Sequence, residues 1–126
     1  MEEFRSATGI IGIKIDSFKE GSVPIVGPDE PLQLLTLSHP KGKRVEPHTH
    51  RAAHRPSTKL EKCLIVRRGK LEIELYDESK KHVATTSLEP GQLFILLSGA
   101  WAVNFLENSE AYELKNGPFI NDRIPF

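Results

Sequence analysis

The chain predicts an all-β fold of the sandwich or barrel kind. Apolar residues recur with a period of two, most clearly in KLEIELY, where Leu71, Ile73 and Leu75 share one face and Glu72 and Glu74 the other. Short runs of this type alternate with turn-forming residues, and no window of a dozen residues keeps an apolar stripe at helical spacing.

Taken in order, the first strand is IIGIKI, Ile10 to Ile15. The turn formers VGPDEP then introduce LQLLTLS, Leu32 to Ser38, which PKGK closes. KCLIVRR, Lys62 to Arg68, and KLEIELY are split at RRGK, a hairpin signal. DESKK separates KLEIELY from HVATTSL, His82 to Leu88, and EPGQ leads into QLFILL, Gln92 to Leu97. LSGA precedes WAVNFLE, Trp101 to Glu107, and AYELK, Ala111 to Lys115, ends at NGP. Eight or more short strands follow, with no internal repeat or linker, so residues 1–126 read as a single domain.

Seventeen basic and seventeen acidic side chains cancel, so no global charge draws the chain to nucleic acid or an anionic membrane. Cys63, the only cysteine, lies in an apolar run that suits a buried, reduced thiol. The opening MEEFRSATGIIGIKI lacks a signal peptide's apolar stretch, and nothing later approaches a membrane span. A cytoplasmic protein is expected.

Within GKRVEPHTHRAAHRPSTKLEKCLIVRRG, His48 and His50 are two apart. In an extended strand both imidazoles project to one side and reach one ion, which makes them candidate metal ligands. The following segment, RAAHRPSTK in the 51–60 loop, carries Arg51, His54, Arg55 and Lys59 and is long for a hairpin connection.

The punctuation around the pair, Gly42, His48-Thr49-His50 and Gly69, then Pro90, Gly91 and Gly99, resembles the two-motif pattern of the cupin superfamily. That resemblance spans roughly residues 42–106 and implies a cupin-type double-stranded β-helix, or jelly-roll barrel. The wording from VRRGKLEIELYDE to ELKNGPF resembles a group of small single-domain cupins associated with sugar and surface-polysaccharide genes, an analogy that names no substrate.

Two departures from the family pattern stand out. Six positions before Gly69, where the resemblance implies a metal-ligating glutamate, the chain has Lys62, with Glu61 beside it and on the opposite strand face. The second-motif histidine is missing as well, because no histidine follows His82; Trp101, or Ala102 by strict counting, takes its place. Trp101, Val103 and Phe105 would form an apolar wall, with Ala102 and Asn104 outside.

A divalent metal needs about three or four protein ligands to be held firmly. The ammonium of Lys62 would repel a cation, so if Zn, Fe, Mn or Ni binds at His48 and His50, tight binding is not implied. The expectation is a metal-poor pocket for a small anionic or sugar-like ligand, with His48, His50 and Lys62 as its polar floor, Trp101 as its aromatic wall and Arg51 and His54 on the loop above. The alternative is a metal-dependent or metal-free cupin enzyme, a sugar isomerase or epimerase or a dioxygenase-like one, using His48 and His50. His48, His50 and Lys62 would then be its catalytic candidates. A homodimer is expected, formed through IIGIKI or through the apolar tail GPFINDRIPF.

Overall fold

The computed structural model describes all 126 residues as ten β-strands joined by turns and irregular segments. These are β1 (Glu2–Ser6), β2 (Gly9–Ile15), β3 (Gly21–Pro24), β4 (Leu35–Ser38), β5 (Lys62–Arg68), β6 (Leu71–Tyr76), β7 (His82–Leu88), β8 (Leu93–Leu96), β9 (Ala100–Phe105) and β10 (Glu110–Lys115). No helix is long and apolar enough to cross a membrane. Every pairing is antiparallel.

A five-stranded sheet has the order β1-β2-β8-β5-β10, and a three-stranded sheet the order β7-β6-β9. A small β3-β4 hairpin stands apart. The main core fills the space between the two larger sheets. It holds Phe4, Ile11, Leu64, Val66 and Phe94 from the first, and Leu71, Ile73, Leu75 and Leu88 from the second. On the three-stranded sheet, period two sorts polar from apolar: Asn104 Nδ2 donates to Glu72 Oε1 at 3.3 Å and Glu74 Oε2 at 3.0 Å on the outer face.

The inner strands of the five-stranded sheet, β2, β8 and β5, are buried on both faces, whereas the edge strands β1 and β10 are largely exposed. The far side of the sheet carries Ile13, Ile15, Cys63, Ile95 and Leu97, covered by Ile25, Val26, Leu32 and Leu34 from the chain between β3 and β4. Two-sided burial explains why IIGIKI, KCLIV and QLFILL read as continuous apolar runs while KLEIELY alternates. The register of β1 on β2 shifts between Phe4 and Arg5, leaving Ile11 as an extra residue opposite them. This bulge turns Ile11 into the main core while Ile13 points to the other face.

Several expectations need correction. The two larger sheets share no strand pairing and do not close into a barrel, because the outer edge of β10 and that of β9 are both unpaired. His48 and His50 lie in residues 39–61, which form no strand, so they do not share a strand face. The run expected from Leu32 begins as a strand only at Leu35, since Leu32 and Leu34 are used to cover the sheet. IIGIKI is paired on both sides, by β1 and β8, so it offers no free edge for a dimer. Phe105, at the end of β9, is 65% exposed rather than part of a buried wall.

Candidate functional site

The antiparallel pairing of β5 with β10 sets Lys62 beside Lys115 and Leu64 beside Glu113. By alternation Lys62, Leu64, Val66, Ala111, Glu113 and Lys115 share one face of the sheet, the face turned toward β9. Across the gap, Trp101 and Val103 pack on the main core. The two sheets part toward the β10 side and leave an open cleft of about 620 Å³ lined by Leu64, Val103, Phe105, Arg67 and Glu113.

Lys62 is two residues along β5 from Leu64, on the same sheet face, and does not itself line this cleft. Its Nζ is 5.0 Å from the centroid of the Trp101 ring, a cation–π contact, and Trp101 in turn leans on Phe94 at 6.2 Å. Lys62 is half-buried, yet its ammonium makes no hydrogen bond and no ion pair. Burial holds its pKa below the usual lysine value. The Glu113 carboxylate opposes that effect, and the Lys115 and Arg123 charges add to it. The aromatic ring therefore serves as a platform for the lysine, with one face already taken.

The other sequence candidates are placed elsewhere or loosely. The rings of His48 and His50 meet edge to face, 5.2 Å between centroids, and both residues are exposed. His48 Nδ1 donates to the Glu46 carbonyl at 2.9 Å, which leaves Nε2 with a free lone pair. No hydrogen bond ties either histidine to Lys62 or Trp101. Arg51 and His54 are exposed and make no hydrogen bond or ion pair, so the 51–60 loop does not order them over the cleft.

Two imidazoles alone fall short of the donor set that holds zinc or iron firmly, and no group of three or more His, Cys, Asp or Glu side chains gathers anywhere in the chain. Glu61 does not make up the number. It is fully buried on the face opposite Lys62, beneath residues 27–34. There Oε1 accepts from the Leu32 amide at 3.0 Å, and Oε2 lies 3.2 Å from Lys59 Nζ without hydrogen-bond geometry. Burial, reinforced by the Glu30 carboxyl, pushes its pKa up to about 7. Cys63 on the same face is buried, and burial pushes its thiol up, away from nucleophilic use.

Sequence reasoning missed Glu113, Lys115 and Arg123. The alternation in AYELK puts Glu113 and Lys115 on one face, but only the long-range pairing of β10 with β5 brings them to Lys62. No family model, curated protein or solved structure matches this chain.

Proposed function

We propose that the protein is a cupin-like, jelly-roll-type binding module whose cleft takes a small anionic or sugar-like ligand at Lys62. The observation that carries this reading is the half-buried ammonium of Lys62, held against Trp101 and left without a counter-ion. An uncompensated cation part-way out of water is unfavourable, and an arriving carboxylate or phosphate would supply the missing partner through a charge-assisted hydrogen bond. Lys115 on the neighbouring strand adds to the positive potential, while Leu64, Val103 and Phe105 offer the apolar surface against which a small ligand loses water.

The test is a thermal-shift panel of sugar phosphates, nucleotide sugars and keto acids on the wild type and on Lys62→Met. Stabilisation of the wild type by an anionic member, absent in the variant, supports the reading. No shift with any member, or equal shifts in both proteins, rejects it.

One observation favours an enzymatic alternative. The Nδ1 bond of His48 to the Glu46 carbonyl fixes the tautomer that leaves Nε2 able to accept a proton. A metal-free isomerase or epimerase would move a substrate proton through that nitrogen. Turnover of a sugar substrate that disappears in His48→Ala, with the melting temperature unchanged, is its signature.

A further inference from the structure

We propose that Glu30, Lys59 and Glu61 form a proton-operated clasp on residues 25–34, the segment that covers the far side of the five-stranded sheet. The clasp is closed while the two carboxyl groups keep one proton between them and opens when that proton leaves. It works independently of Lys62, which lies on the opposite face of the sheet from Glu61.

The segment rests on Ile13, Ile15, Cys63, Ile95 and Leu97 through Ile25, Val26, Leu32 and Leu34. Most of its hydrogen bonds are internal: Ile25 N donates to Leu34 O, Glu30 N to Gly27 O, and Gln33 Nε2 to the carbonyls of Gly27 and Glu30. Only two polar ties leave it, and both end at the clasp. The Leu32 amide donates to Glu61 Oε1 at 3.0 Å, and Lys59 Nζ donates to Glu30 Oε2 at 2.8 Å. The other side of the clasp is anchored to the end of β10, where the Glu61 amide donates to Asn116 Oδ1 at 2.7 Å and Asn116 Nδ2 donates to the Lys59 carbonyl at 3.1 Å. The cover thus hangs from a fixed point, and release would free the cover rather than residues 59–61.

One ammonium serves two carboxyl groups, since Lys59 Nζ is 2.8 Å from Glu30 and 3.2 Å from Glu61. With one proton on the pair, the three groups sum to zero charge. Without it they carry a net negative charge at Glu61, a residue with no exposed surface whose Oε2 has no hydrogen-bond donor. The neighbouring elements bring no second cation. β10 offers Asn116, and the sheet face offers Leu97 and Cys63, whose thiol burial keeps protonated. Asp29, exposed beside Glu30, and Glu3 and Glu78, which line the same hollow as Glu30 and Lys59, are of the same sign, and Glu3 is already paired with Arg5. Burial and the Glu30 carboxyl hold the Glu61 pKa up at about 7, and bonding to Glu61 and Lys59 holds Glu30 down, so the proton sits on Glu61. A raised folded pKa favours the closed clasp at lower pH and withdraws that support as pH rises through 7. Glu61 lies beneath the cover, so an ionised carboxylate gains water when residues 27–34 lift, and the lift bares Ile13, Ile95 and Leu97.

Hydrogen–deuterium exchange of the full chain, read as protection corrected for the intrinsic rate at each pH, tests the clasp. Between about pH 5.5 and about pH 8.5, protection of residues 25–34 should fall by more than about tenfold, and at the higher pH it should stand below that of β6 because the opening is local. Glu61→Gln cannot ionise and should remove the fall. Glu30→Gln leaves an ionised Glu61 with Lys59 to itself, so its fall should be less than about threefold. Protection that does not change with pH in the wild type, or that still falls in Glu61→Gln, overturns the proposal. So does a cover as protected as β6 at the higher pH, which would open only with the whole fold. If Glu61→Gln does not fold, Glu30→Gln decides, and a fall as large as the wild type's rejects the shared proton.

Discussion

Lys62 and Glu61 are adjacent in sequence, point to opposite faces of one sheet, and are each out of their usual electrostatic setting. Lys62 lacks a counter-ion, so replacing it with methionine removes a desolvated charge and keeps the apolar stem against Trp101. Lys62→Met should therefore lose anion binding yet melt no lower than the wild type, and a marked fall in melting temperature would show that the lysine is structural. Glu61 makes a different prediction. Its folded pKa, about 7, stands above the ordinary 4.5 of an exposed glutamate. Between those values the folded chain binds more protons than the unfolded one, so the contribution of Glu61 is fully present below about pH 4.5 and lost as pH rises through 7. Glu30, lowered by its neighbours, acts at more acid pH, and Lys59, raised, acts only at alkaline pH. Glu61→Gln keeps an acceptor for the Leu32 amide and cannot ionise. The stability of the wild type relative to that variant should drop by on the order of 2–3 kcal/mol between pH 4.5 and 7. Urea melts across that range check it, and a flat difference contradicts it.

At the level of the elements, β2 and β8 are held close by the absence of a side chain. Phe94, fully buried, lays its ring over Gly12, where a Cβ would overlap ring carbons, and the same ring touches Phe4 at 5.7 Å and Trp101. Gly12→Ala should force the ring aside and lower stability by roughly 1–3 kcal/mol, read from the midpoint of chemical denaturation; an unchanged midpoint would mean the sheet yields freely. Gly69 does a related task in the β5–β6 turn, with φ 92° and Asn108 O at 2.6 Å from where a Cβ would lie. Strands closed by such turns were legible in the sequence, and β5 and β7 have the bounds expected for KCLIVRR and HVATTSL. β1 was not, because Glu2, Glu3 and Arg5 surround one inward residue, Phe4, and β3 offers only Val23 in GSVP. Of the site, Lys62 and Trp101 stood out as candidates in the sequence, whereas their contact and the charges of Glu113, Lys115 and Arg123 did not. Their placement depends on a pairing across more than forty residues and on the path of a segment that belongs to no strand.

On the scale of the whole molecule, the unpaired edge of β10 both opens the cleft and leaves a row of free backbone groups, which a second chain can satisfy. Ala111, Tyr112 and Glu113 of β10 line the cleft, while the side chains of Tyr112 and Leu114 remain 58% and 49% exposed. Two copies related by a twofold axis perpendicular to the sheet would pair their β10 strands antiparallel, with residues of the same face opposite one another. A register centred on Glu113 would set that carboxylate against its own copy and is disfavoured. A register centred on Tyr112 sets the two tyrosines together, places Glu113 opposite Ala111 and merges the two five-stranded sheets into one. The expected state is thus a homodimer joined at β10, in place of the β2 edge that the sheet order rules out. Light scattering should give twice the mass of the chain for the wild type. Leu114→Lys, by charging the outward face of the edge, should give the single mass with the fold intact by circular dichroism. A monomeric wild type would reject the dimer, and a dimer that the lysine leaves whole would place the contact away from β10.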